Sequence, residues 1–187
     1  MSSELRIAVV VGSTRPQRKA RLVAEWVHGL ASARTSAQYE LVDIADFELP
    51  LLDEPIPPSL GKYSRPHTKA WAAVIAKFDG YVFVTPEYNH STSGALKNAI
   101  DFLFAEWHNK AVGFVSYGSA LGTRAVEHLR QIVAEVMMAD VRISVGLSLF
   151  DDFEKFTTFK PRDLHKETLD AMLDQVESWA KALRTVR

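Results

Sequence analysis

Apolar residues fall in short blocks along this chain, and the blocks alternate between two periods. Leu5-Arg6-Ile7-Ala8-Val9-Val10-Val11 is nearly continuous and apolar, as suits a strand buried on both sheet faces. Gly12 closes it, and Leu22, Val23, Trp26, Val27 and Leu30 then recur on one helix face. Tyr39 to Ile44 reads as a second strand, interrupted by Glu40 and Asp43. Residues 45–66 form a long connection with prolines at 50, 55, 57, 58 and 66 and the acidic-apolar piece Leu51-Leu52-Asp53-Glu54. Trp71, Val74, Ile75 and Phe78 mark a second helix that Asp79-Gly80 ends. Tyr81 to Val84 is a third strand, and Leu96, Ala99, Ile100 and Leu103 belong to a third helix. Lys110 to Tyr117 contains a fourth strand, followed by a helix burying Val126, Leu129, Val133 and Val136. Val141, Ile143 and Val145 alternate with Arg142 and Ser144, the period of a half-exposed strand. An irregular stretch, 146–160, precedes a last helix through Leu169, Met172, Leu173, Val176 and Leu183.

Strict alternation of strand and helix implies a parallel sheet covered on both faces by right-handed crossovers. Strands one, three and four are near-continuous apolar runs and belong inside; two and five are interrupted or alternating and belong at the edges. That predicts the order 2-1-3-4-5, an α/β, flavodoxin-like three-layer sandwich, and not the dinucleotide-binding order. One domain over 1–187 accommodates it, with no repeat or linker. A phospho-acceptor receiver shares the order but needs acidic residues at the end of strand one, where this chain has Val9-Val10-Val11-Gly12.

Composition narrows the classes. With 47% hydrophobic residues in 187, the chain can bury one good core. A net charge of -1 gives no reason to expect nucleic acid or an anionic membrane. The absence of cysteine removes disulfides, zinc thiolates and thiol nucleophiles. No apolar run approaches the roughly 20 residues that span a bilayer. The expectation is a soluble, cytoplasmic protein.

The candidate chemistry lies after strands one and three, where an open parallel sheet binds ligands. Ser13, Thr14, Arg15, Arg18 and Lys19 place hydroxyls and cations at the start of the first helix. Basic charge there opposes the helix dipole unless an anion is bound, so the pattern points to a phosphate. No G-x-G-x-x-G or Walker-type sequence follows strand one. The six histidines show no metal-ligand spacing and read as surface or capping residues; Trp26 and Trp71 read as core. Ser91 and Ser93 lack the Gly-x-Ser-x-Gly setting of a hydrolase.

Gly12-Ser13-Thr14-Arg15, with Pro86-Glu87-Tyr88-Asn89 and Gly94-Ala95-Leu96-Lys97-Asn98-Ala99-Ile100-Asp101, resembles the NAD(P)H-dependent FMN reductase family, over about Arg6 to Val145. The family includes flavodoxin-like quinone, chromate and azo-dye reductases. The resemblance implies FMN, with its phosphate at Ser13, Thr14, Arg15, Arg18 or Lys19, and Ala20. It implies that Pro86, Glu87, Tyr88 and Asn89 hold the ring, and that Ser116, Tyr117 and Gly118 close the other side. NADPH or NADH would deliver hydride to the flavin, and a quinone, azo compound, metal oxyanion or free flavin would take the electrons. No side chain is assigned as catalytic acid or base. The alternative is a flavodoxin-type electron carrier with little NAD(P)H activity, although such carriers are usually strongly acidic. The family also implies a homodimer or homotetramer, with Glu87, Tyr88 and Arg124 as candidates to pair across subunits or to stay solvated. Phe47, Leu49, Leu51 and Leu52, and Phe150, Phe153 and Phe156, are expected either to wall the open flavin face or to seal the core.

Overall fold

Five parallel strands form the central sheet of a computed structural model that describes residues 4–187. They are β1 (Leu5–Val11), β2 (Ala37–Asp43), β3 (Gly80–Pro86), β4 (Ala111–Gly118) and β5 (Ala139–Ser148), in the order β2-β1-β3-β4-β5. This is the flavodoxin-like arrangement expected from the sequence, with the interrupted strands at the edges. Successive residues of a strand face opposite sides, and both sides are packed. Ile7, Val9, Val84 and Val115 meet α1 (Ala20–Ala31) and α5 (Leu164–Leu183) through Val23, Val27, Leu173 and Val176. Val10, Phe83 and Phe114 meet α2 (Pro66–Ile75), α3 (Gly94–Asp101) and α4 (Thr123–Glu135) through Trp71, Ile100 and Leu129. Among the described residues no helix is long and apolar enough to cross a membrane.

Several details differ from the sequence expectation. Leu22 is exposed, because Ala20, Val23, Ala24 and Val27 already fill the stripe that α1 turns to the sheet. α2 stops at Ile75; Asp79 does not cap it but accepts the Arg6 N–H at 2.9 Å and the Arg184 guanidinium. The segment 146–160 contains regular structure. β5 continues through Ser148, and β6 (Phe153–Glu154) pairs with β7 (Thr158–Phe159) as a small hairpin. Phe153 is buried and does not wall a pocket: its ring lies 6.1 Å from Tyr117 and 5.0 Å from Phe159.

One carboxylate fastens this hairpin. Asp152, fully buried, accepts the Ser148 N–H at 2.8 Å, the Arg162 Nε–H at 3.0 Å and the His165 Nε2 at 2.9 Å. His165 is therefore a buried partner at the start of α5, where a surface or capping residue was expected. Burial opposes ionisation of Asp152, yet the Arg162 guanidinium and the backbone donors hold its carboxyl below the usual range.

Candidate functional site

The connections after β1, β3 and β4 meet at the carboxyl edge of the sheet, and Gly12 joins the first two. Its N–H donates to the Val84 carbonyl at 2.8 Å, and its own carbonyl accepts the Ser93 hydroxyl. Ser93 in turn caps α3 by accepting the Leu96 N–H at 3.1 Å. A Cβ at Gly12 would stand 2.5 Å from the Val84 oxygen, so only glycine lets the first loop lie against β3. Ser13 follows, buried, with its hydroxyl 3.3 Å from that of Tyr88.

Arg15 to Arg18 then make a turn closed by Arg18 N–H to Arg15 carbonyl at 3.1 Å, with Gln17 at φ 56°. α1 begins directly after Lys19, without a side-chain cap and without an acidic residue in its first turn. The positive end of its dipole therefore lies among cations, with the Ala20 N–H donating to the Tyr117 hydroxyl. Arg15 has no ion pair among the described residues. Lys19 lies 6.0 Å from the Phe153 ring centroid and likewise lacks an acidic partner. Arg18 is different: its guanidinium reaches buried Asp43, at the end of β2, at 2.5 Å, while its Nε is buried with no partner.

On the other side, Glu87 N–H donates to the Tyr117 carbonyl at 3.0 Å, which ties the loop after β3 to β4. Tyr88 and Ser91 exchange backbone hydrogen bonds across Asn89 and His90, both at positive φ, as a two-residue hairpin of the I′ kind requires. The Glu87 carboxylate accepts the Arg124 Nε–H at 2.6 Å and its N–H at 3.1 Å. Glu87 thus caps α4 from a distance, and within the chain its carboxylate is matched by Arg124. The Arg124 guanidinium also reaches His90 Nε2 at 2.9 Å.

These loops enclose a cavity of about 200 Å³ lined by residues 15–19, 86–88, 117, 118 and Leu149. Of the residues singled out from sequence, Arg15, Arg18, Lys19, Pro86, Glu87, Tyr88, Tyr117 and Gly118 border it. Thr14 faces a separate cavity with Ile44, Leu49 and Asn98. Ala20 is buried at the start of α1, Asn89 is exposed on the hairpin tip, and Ser116 bonds the Leu121 carbonyl at 2.8 Å. Burial pushes the Tyr117 hydroxyl far up, so it stays protonated at neutral pH. Leu149 went unnoticed in the sequence, although its place at the end of β5 puts it on the ligand edge. Asp43 was missed as a partner because it lies 25 residues from Arg18; Arg124 was named from sequence as a pairing candidate, and within the chain it bonds Glu87.

The donor set fits FMN. A phosphate matches the uncapped helix start, unpaired Arg15 and Lys19, and the orphaned Arg18 Nε; a flat ring matches Pro86, Tyr88 and the side-chain-free Gly118.

Comparison with known proteins bears on the same residues. Residues 5–152 match the family described as NADPH-dependent FMN reductase. An NAD(P)H-dependent FMN reductase of Nectria sp is 41% identical over 142 residues, covering 73% of this chain and 71% of the relative. A quinone reductase of Pseudomonas putida is 35% identical over 202 aligned positions, covering all of both chains. In structure, a flavoenzyme NAD(P)H:(acceptor) oxidoreductase of Paracoccus denitrificans superposes with a TM-score of 0.72 at 21% identity. That match covers 95% of this chain and 98% of the other, and shows the shared fold.

Proposed function

Since this chain belongs to the NADPH-dependent FMN reductase family, we propose that it is an NAD(P)H oxidoreductase whose electrons pass by way of FMN to a quinone. The observation that carries the reading is the pairing, across one cavity, of an uncapped cationic helix start with the Pro86–Tyr88 wall. Bound FMN supplies the two-electron chemistry between a nicotinamide and an acceptor. The overall change balances as NAD(P)H, quinone and one proton giving NAD(P)+ and hydroquinone.

The chain's own residues bind and orient. Arg15 and Lys19, with the positive end of the α1 dipole, would hold the phosphate. Gly12 and Ser13 set the spacing between that anion site and Tyr88. Pro86, Glu87 and Tyr88 form one side of the ring slot, and Gly118 lets the β4 backbone approach from the other. Glu87 is committed to Arg124, and the buried Tyr117 hydroxyl keeps its proton; solvent at the open side supplies protons. Quinone, among the acceptors an FMN reductase can serve, is supported by the Pseudomonas putida relative's description as a quinone reductase.

The test is an anaerobic one. NADPH mixed with the FMN-loaded protein should bleach the flavin absorbance, and menadione should restore it. Parallel runs with an azo dye, chromate and free FMN should give lower kcat/KM than menadione. Failure to bleach would leave a flavodoxin-type carrier; fastest reoxidation by free FMN or chromate would displace the quinone.

A further inference from the structure

Two backbone donors converge on one acceptor at the cavity's edge. The N–H groups of Leu121 and Leu149 both reach the Gly118 carbonyl, each at 3.2 Å. Gly118 and Leu149 line the cavity, and the Leu121 backbone meets its edge through the Gly118 carbonyl. Leu121 is held in the left-handed region at φ 61°, ahead of Gly122 at φ 76°. For a bulky side chain that is a steric outlier. The fold accommodates it specifically: the Ser116 hydroxyl fixes the Leu121 carbonyl, and Gly146 leaves room where a Cβ would lie 3.0 Å from that of Leu121. Yet the side chain gains no place in the core, being 39% exposed. Strain retained without burial points to use at a site.

Two exposed aromatic rings follow β5 beyond Leu149. Phe150 follows Leu149, is 63% exposed, and meets the half-exposed Phe156 edge-on at 5.6 Å between ring centroids. Phe156 and Lys155 also sit at positive φ, 58° and 50°, at the tip of the β6–β7 hairpin. These rings do not seal the core, because Phe153 and Phe159 of the same hairpin already do. Nor does the hairpin hang loose, because Asp152 ties its base to β5 and α5.

The geometry points to Leu121, Phe150 and Phe156 as an apolar rim that grips the substituent of the electron acceptor. This rests on the reductase reading and specifies its substrate class: a quinone carrying an alkyl or fused aromatic group. An unsubstituted quinone or a metal oxyanion reaches the flavin without gaining from the rim.

Menadione, with a fused ring and a methyl group, and plain benzoquinone separate these cases. For Leu121→Gly, Phe150→Ala and Phe156→Ser, the ratio of kcat/KM for menadione over benzoquinone should fall on the order of tenfold from the wild-type value. Calorimetric titration of the oxidised, FMN-loaded proteins with menadione should show a weakened Kd in step. Because all three side chains are exposed, and Leu121→Gly relieves strain, folding is retained; FMN content measured alongside checks this. An unchanged ratio, or an unchanged menadione Kd, in all three variants overturns the rim. A wild type that binds menadione but never oxidises NADPH overturns the reductase reading instead, while the calorimetric comparison still judges the rim.

Discussion

Single residues around the start of α1 divide into those free to meet a ligand and those already engaged. Arg15 is free; Arg18 shares Asp43 with Arg21, whose guanidinium lies 3.2 Å from the same carboxylate. Arg15→Ala should therefore weaken FMN binding by about 1.5–3 kcal/mol, the value of a charge-assisted hydrogen bond, and riboflavin binding far less. Fluorescence titration with both ligands measures the difference, and equal losses would remove Arg15 from the phosphate site. Gly12→Ala acts through the backbone. The added methyl must displace Val84 or the loop, at a cost of about 1–3 kcal/mol in thermal denaturation, with loss of FMN.

At the scale of elements, β1, β3 and β4 were legible because burial on both faces leaves continuous apolar runs, and β2 because Glu40 and Asp43 break its run. The β6–β7 hairpin was not legible. Its strands are two residues long and its turn is Lys155-Phe156, so neither a period nor an Asn-Gly signal marks it. What holds it is Asp152 with Arg162 and His165, a contact among side chains that no local pattern announces. Asp152→Asn removes the charge that two basic partners surround and should cost about 3 kcal/mol at neutral pH. The folded-state pKa of Asp152 is depressed below its usual value of about 3.9. Its stabilisation is therefore complete above that pH and is lost as pH falls through the lower folded value. Denaturant titrations across acid pH should show the wild type losing more stability than the variant; parallel curves would mean that Asp152 contributes no linkage. In the candidate site, the places of Arg15, Lys19 and Tyr88 on one cavity were readable from position after a strand. The Glu87–Arg124 pairing was not, since nothing in either segment specifies that α4 lacks a cap of its own.

Across the whole molecule, the carboxyl edge of the sheet carries the cavity, while the opposite edge is closed by ion pairs such as Arg184 with Asp79. Leu51 and Leu60, 85% and 63% exposed, stand out from the connection between β2 and α2. On the oligomer reading, light scattering at micromolar concentration should give a dimer or tetramer. A mass of 20.9 kDa would mean a monomer. The left-handed residues around the cavity carry a further consequence for how this protein would respond to selection. Gln17 and Leu121 each adopt a backbone that glycine accepts freely, at a penalty of about 1–2 kcal/mol for other residues. Glycine's extra freedom in the unfolded chain returns part of that difference. A laboratory population selected only for survival on heating would therefore fix glycine at these positions early. Its descendants would outlast the parent and discriminate less sharply among the molecules offered to them.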